Sequence, residues 1–340
     1  MELGLTHLVD QGSAAHVGES RTFNAAAQAA AGDQPQPDPA TPEGLQQART
    51  MLTSRPPEPR AVERIADADG REVPVRIITP GEGQARAAYL EVHGGGFYLG
   101  SAVRSDTRNA LLADALGLAV VSVDYRLAPE HPWPAAPDDC ETAALWLAEQ
   151  AAALFGTDRL IIGGASAGAT LAMTTLLRLR DRGQVQPFVG AVLQFGAYDL
   201  SGQSPSGRVY ADEWFIRAYA GHVADRTNPD VSPLYGDLHG LPPTLLVVGA
   251  MDLLLEDSLA MAARLSAAGN EVDLRVFPES PHGFTSFPTA MATAALDSIE
   301  SWLAGRLDKR LAPGRRQRSH GHRRPAWYPA ALPRGRANVA

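Results

Sequence analysis

From residue 61 to about residue 303 the chain alternates short apolar runs with turns and longer amphipathic stretches. Eight runs, at 61–67, 73–79, 87–93, 119–124, 160–164, 190–196, 244–249 and 272–277, read as strands. The later ones are continuously apolar rather than alternating, as expected of strands covered on both faces. Stretches 106–116, 138–155, 167–182, 256–268 and 290–303 read as helices, with Ser105 placed to cap the first. Strand and helix alternate from 87 to 303, which predicts a parallel sheet joined by right-handed crossovers, an α/β fold. Segment 198–240 interrupts that alternation between two core strands. It holds one amphipathic piece, 210–219, and no strand. An insertion of that length inside a compact α/β domain is usually functional, such as a lid.

The two ends differ from this middle. Residues 1–60 are rich in Ala, Gln and Pro with weak periodicity, and are expected to form a partly disordered arm carrying one or two helices. Residues 61–304 form the expected folded body, and 305–340 a basic, disordered tail. The chain of 340 residues has a formal net charge of −8. Its tail holds ten Arg or Lys against one acid, Asp308, a net of +9 that leaves −17 for residues 1–304. An acidic body argues against a nucleic-acid partner. The uncharged window 160–177 is broken by glycines, Ser and Thr, so it reads as strand, turn and buried helix rather than a membrane span. Residues 1–20 lack the charged start and apolar run of a signal peptide, and a lone cysteine, Cys140, suits a reducing compartment. A cytoplasmic location is the expectation.

Composition also removes chemistries. Lys309 is the only lysine, so the body has no Schiff-base lysine, no Ser-x-x-Lys pair and no phosphate-binding Gly-Lys-Ser/Thr loop. One cysteine excludes an intramolecular disulfide framework and a cysteine-cluster metal site. No His-Glu-x-x-His occurs. Neither metal nor cofactor is expected.

Chemistry gathers at strand ends. Gly164-Ala165-Ser166-Ala167-Gly168 follows an apolar strand and opens an apolar helix, the context of a nucleophile elbow. Small neighbours are needed because the serine sits in a strained turn, and a helix N-terminus then aims N–H groups at developing negative charge. His93-Gly94-Gly95-Gly96-Phe97 ends an earlier strand. It reads as a flexible turn or as an oxyanion loop, where missing side chains let backbone N–H groups reach a substrate oxygen. Asp252 follows strand 244–249 and His282 follows strand 272–277. Singly, Asp252 also reads as a helix cap and His282 as a loop histidine. Their order after Ser166 and their strand-end positions together select a Ser-Asp-His triad. His93 reads as ordering the glycine loop, His131 as structural, and Cys140 as a small buried residue in the first turn of helix 138–155.

The ordered set His93-Gly94-Gly95-Gly96-Phe97, Asp124-Tyr125-Arg126-Leu127-Ala128-Pro129-Glu130, the serine elbow, Asp252 and Pro281-His282-Gly283-Phe284 resembles the hormone-sensitive-lipase-like branch of the α/β-hydrolases, mostly bacterial carboxylesterases. The resemblance covers about residues 60–304. It implies an α/β-hydrolase fold, an eight-stranded mostly parallel sheet flanked by helices, with a helical cap built from the arm and the 198–240 insertion. It implies oxyanion donors at the backbone N–H groups of Gly94, Gly95 and Ala167, short- to medium-chain acyl ester substrates and no cofactor. Two positions depart from the family pattern: Ala165 stands where Asp is usual, and Leu253 where Pro is frequent.

The reading is therefore a serine carboxylesterase with Ser166 as nucleophile. Tyr98, Trp214, Phe215 and Tyr219 are candidates for lining its substrate pocket, with core packing the equal alternative. An amidase or deacetylase would use the same triad. A non-catalytic small-molecule-binding module on the same fold is the rival from another class. The plant gibberellin receptor, which lacks the triad histidine, is an example, and His282 argues for turnover. The expected partner is a small-molecule ester, and a homodimer is compatible with the sequence.

Overall fold

The computed structural model describes residues 11–31, 37–53 and 57–308. Every expected run is a strand: β1 Val62–Ala68, β2 Arg71–Ile78, β3 Ala87–Val92, β4 Leu118–Val123, β5 Leu160–Ala165, β6 Phe188–Gln194, β7 Thr244–Gly249 and β8 Val272–Phe277. The helices are α1 Val17–Ala31, α2 Pro42–Thr53, α3 Asp106–Leu116, α4 Ala135–Phe155, α5 Ala167–Asp181, α6 Gly207–Tyr210, α7 Trp214–Ala220, α8 Leu255–Ala267 and α9 Ala290–Asp308. The strands form one eight-stranded sheet in the order β1-β2-β4-β3-β5-β6-β7-β8. Strands β3 to β8 run parallel, whereas β1 and β2 add an antiparallel edge.

The core follows from the two-residue period of a strand. Leu90, Val92, Val121, Ile162, Leu193 and Leu246 point to the face covered by α4, α5 and α8. Tyr89, Val120, Ile161, Val192, Leu245 and Val247 point to the face covered by α3 and α9. Strands β4 and β7 are buried along their whole length, which explains their unbroken apolar composition. The edge strand β1 instead begins with a row of exposed residues.

Several local expectations change. Helix α4 starts at Ala135, not 138, because prolines are tolerated at a helix start and Pro134 and Pro137 occupy it. Cys140 thus lies beyond the first turn, fully buried, and burial pushes its thiol well above the ordinary value. Ser105 makes no side-chain cap on α3; its Oγ donates to Glu91 Oε1 at 2.9 Å instead. The 210–219 piece splits into α6 and α7. Helix α9 continues to Asp308, so residues 305–308 of the expected tail are helical, with Arg306 over the Trp302 ring at 4.7 Å and Leu307 buried. The remainder of that tail, 309–340, lies outside the described residues, as do 1–10, 32–36 and 54–56 of the arm.

The arm is tied down at both of its helices. Phe23 of α1 meets Phe287 with ring centroids 5.1 Å apart, and Glu19 accepts the Ala290 N–H at the start of α9. From α2, Arg49 donates to the carbonyls of Tyr98 and Ala128 and forks onto Glu130. No described helix is long and apolar enough to cross a membrane.

Ile162 sits at the centre of β5 with no exposed surface. Ile162→Ala removes close-packed atoms that the neighbouring strands cannot replace, and it is expected to lower unfolding stability by about 2–5 kcal/mol. Urea denaturation of the two proteins measures it.

Candidate active site

The residues with chemistry lie where the parallel strands end. Strand β5 runs into Ser166, whose φ of 55° is left-handed, and α5 starts at the next residue. A side chain at Gly168 would drive its Cβ into the Val92 carbonyl oxygen, so only glycine lets α5 approach β3 this closely. That approach sets Ser166 beside the loop after β3. There Gly95 has φ 131°, and an added Cβ would meet the Leu99 carbonyl. The loop is held from below by His93, which is buried and stacks on Tyr125 at 4.1 Å. His93 Nδ1 lies 2.9 Å from the Gly94 carbonyl oxygen, and the Tyr125 hydroxyl donates to the His93 carbonyl at 2.9 Å. Burial pushes the His93 imidazole down to about 4, so it stays neutral at ordinary pH. The backbone N–H groups of Gly94, Gly95 and Ala167 donate to no described residue.

Ser166, Asp252 and His282 come together. His282 Nε2 is 2.9 Å from Ser166 Oγ, and His282 Nδ1 is 3.1 and 3.0 Å from the two Asp252 carboxylate oxygens. The Asp252 side chain is wholly buried, whereas that of His282 is 35% exposed and so faces the opening. Asp252 Oδ1 also accepts the Leu254 N–H at 2.8 Å, which pins the carboxylate at the end of β7. The Phe195 ring meets the imidazole edge-on at 5.1 Å. Phe195 itself has φ 40°, a second strained residue at this centre.

A cavity of about 680 Å³ opens over Ser166 and His282. Tyr98 and Phe215 line it, as expected. Trp214 and Tyr219 do not. Trp214 packs edge-on against Tyr98 at 5.1 Å, one layer out. Tyr219 is 2% exposed and stacks flat on Phe97 at 4.0 Å, so it belongs to the core beneath the loop. Glu91, Arg104, Arg108 and Ser105, the last expected only as a helix cap, also line the cavity. Their one signal in the sequence is Glu91, a carboxyl inside the otherwise apolar strand β3. No group of His, Cys, Asp or Glu suited to a metal ion occurs among the described residues.

Comparison with known proteins places the chain. The α/β-hydrolase-fold family model matches residues 89–286. The chain belongs to the α/β-hydrolases. It is 33% identical over 256 residues to the ethyl acetate hydrolase of Pseudomonas putida, covering 71% of this chain and 80% of that protein. It is likewise 33% identical over 257 residues to carboxylesterase NlhH of Mycobacterium tuberculosis, covering 70% of this chain and 80% of the relative. Among solved structures, a hyperthermophilic esterase from Pyrobaculum calidifontis superposes with TM-score 0.72 at 31% identity, covering 84% of this chain and 96% of the other. A hormone-sensitive lipase from a metagenome library superposes with TM-score 0.71 at 31% identity, covering 85% and 98%. This hydrolase is thus a carboxylic ester hydrolase of the hormone-sensitive-lipase-like branch.

The esterase's insertion is coupled to its body by a buried carboxyl. Tyr210 of α6 lines the cavity and donates its hydroxyl to Asp257 of α8 at 2.6 Å, and Asp257 also accepts the Asp199 N–H. Burial pushes the Asp257 carboxyl up to about 7 from 3.8, against the Tyr210 hydrogen bond, which pulls it down. The folded protein therefore retains a proton that the unfolded chain releases near 3.8. That contribution to stability is complete below this value and is lost as pH rises through about 7. Asp257→Asn is expected to flatten this fall. Denaturant midpoints of the two proteins at about pH 5 and about pH 8 measure it.

Proposed function

We propose that this esterase hydrolyses short- to medium-chain acyl esters through an acyl-enzyme on Ser166. His282, with Nδ1 held by Asp252, presents Nε2 to the serine hydroxyl and takes its proton as Oγ attacks the ester carbonyl. The carbonyl oxygen becomes an oxyanion, met by the N–H groups of Gly94, Gly95 and Ala167. The imidazolium, stabilised by the buried Asp252, then protonates the leaving alcohol. Water enters, gives its proton to His282 and releases the acid, restoring Ser166. The observation that carries this reading is the continuous contact from Ser166 Oγ to His282 Nε2 and from His282 Nδ1 to Asp252. The N–H groups of Gly94, Gly95 and Ala167, without partners among the described residues, support their role as donors. A cavity of about 680 Å³ suits short and medium acyl chains.

Ser166→Ala is expected to abolish turnover of p-nitrophenyl esters measured from acetate to decanoate. Equal rates for wild type and variant would overturn the assignment. Asp252→Asn keeps the shape but allows the wrong imidazole tautomer, and is expected to lower kcat by about 10⁴. Intact-mass trapping of acyl-Ser166 during turnover checks the covalent step.

A further inference from the structure

One end of the cavity is polar and cationic in a way that hydrolysis of a neutral ester does not use. Glu91, Ser105, Arg104 and Arg108 line it together. Glu91 lies on the α3-facing side of β3, paired with Gly163 of β5, and Ser166 follows Gly163 at a strand rise of roughly 10 Å. Glu91 Oε1 accepts the Ser105 hydroxyl, and Oε2 is buried with no hydrogen-bond partner. Arg108, in the first turn of α3, is half-buried and makes no hydrogen bond or ion pair among the described residues. Its charge reaches two carboxyls, Glu91 and Glu300, without contact. Burial raises both carboxyls above their ordinary range. Ala165, which also lines the cavity, adds no carboxylate there.

We propose that Arg108 forms a carboxylate-binding end of the cavity, so that the preferred substrates are esters carrying a second, free carboxylate group. Arg108 supplies the positive charge and two planar donors. The reaction is unchanged: water cleaves the ester bond, and a dicarboxylate hemiester yields the dicarboxylate and the alcohol. This inference rests on the proposed esterase reading of Ser166.

The test compares kcat/KM for monoethyl esters of dicarboxylic acids, from succinate to suberate, with ethyl esters of the matching monocarboxylic acids. A second arm uses 6-acetoxyhexanoate against hexyl acetate, which moves the carboxylate to the alcohol side. One arm is expected to show a charged-to-neutral preference that depends on chain length and weakens with added salt. In Arg108→Gln that ratio is expected to fall roughly tenfold to hundredfold, with partial recovery in Arg108→Lys. Both esters are read on one preparation, so loss of folded protein cancels in the ratio. A ratio in both arms that Arg108→Gln leaves unchanged overturns the inference while the esterase reading stands. Failure to turn over any ester overturns both.

Discussion

The serine turn between β5 and α5 is the constraint from which the rest of the site follows. Ser166 is held at a left-handed φ of 55°, a conformation that for a non-glycine residue costs about 1–3 kcal/mol. It persists because β5 and most of α5 are buried and because Gly168 lets the helix rest on the Val92 carbonyl. The same close approach sets three groups at once: the serine hydroxyl above the sheet, the Ala167 N–H at the helix start and the glycine loop that continues β3. Relaxing the turn would move all three relative to one another. The parallel order of β5, β6, β7 and β8 then delivers Asp252 and His282 from the same edge, so the site depends on sheet topology as much as on its own residues.

Around this centre the insertion supplies part of the cavity wall through Val209, Tyr210, Glu213 and Phe215, while the described arm packs outside it. Apolar packing, as of Ile216, Tyr219 and Val231 in the core, is joined by polar attachments: Arg49 on the carbonyls of Tyr98 and Ala128, Tyr210 on Asp257, Glu19 on the start of α9. The cavity is mostly apolar, with polar side chains on several elements, among them Arg108 of α3, Glu213 before α7 and Thr285 after His282.

Much of the fold is legible in the sequence because burial on both faces forces continuous apolar runs. For that reason β4 and β7 fall where the pattern puts them. Helix ends are less legible. The start of α4 rests on prolines that a helix tolerates only in its first turn, and the end of α9 on a tertiary contact, Arg306 to Glu271, that local pattern does not carry. Ser105 shows the same limit: a residue suited to capping a helix is taken by a buried carboxyl on a neighbouring strand.

The sequence by itself determined the α/β alternation, the order of Ser166, Asp252 and His282, and the glycine loop, because strand-end placement and small-residue requirements are written locally. Only the tertiary structure decided which side chains share the cavity. Tyr219 and Phe215 stand on one short helix, yet Phe215 faces the cavity and Tyr219 the core. Glu91 of β3 and Arg108 of α3 line one cavity, although no local pattern joins them. A periodic pattern distinguishes buried from exposed positions; it does not distinguish a cavity wall from a packed core, since both exclude bulk water.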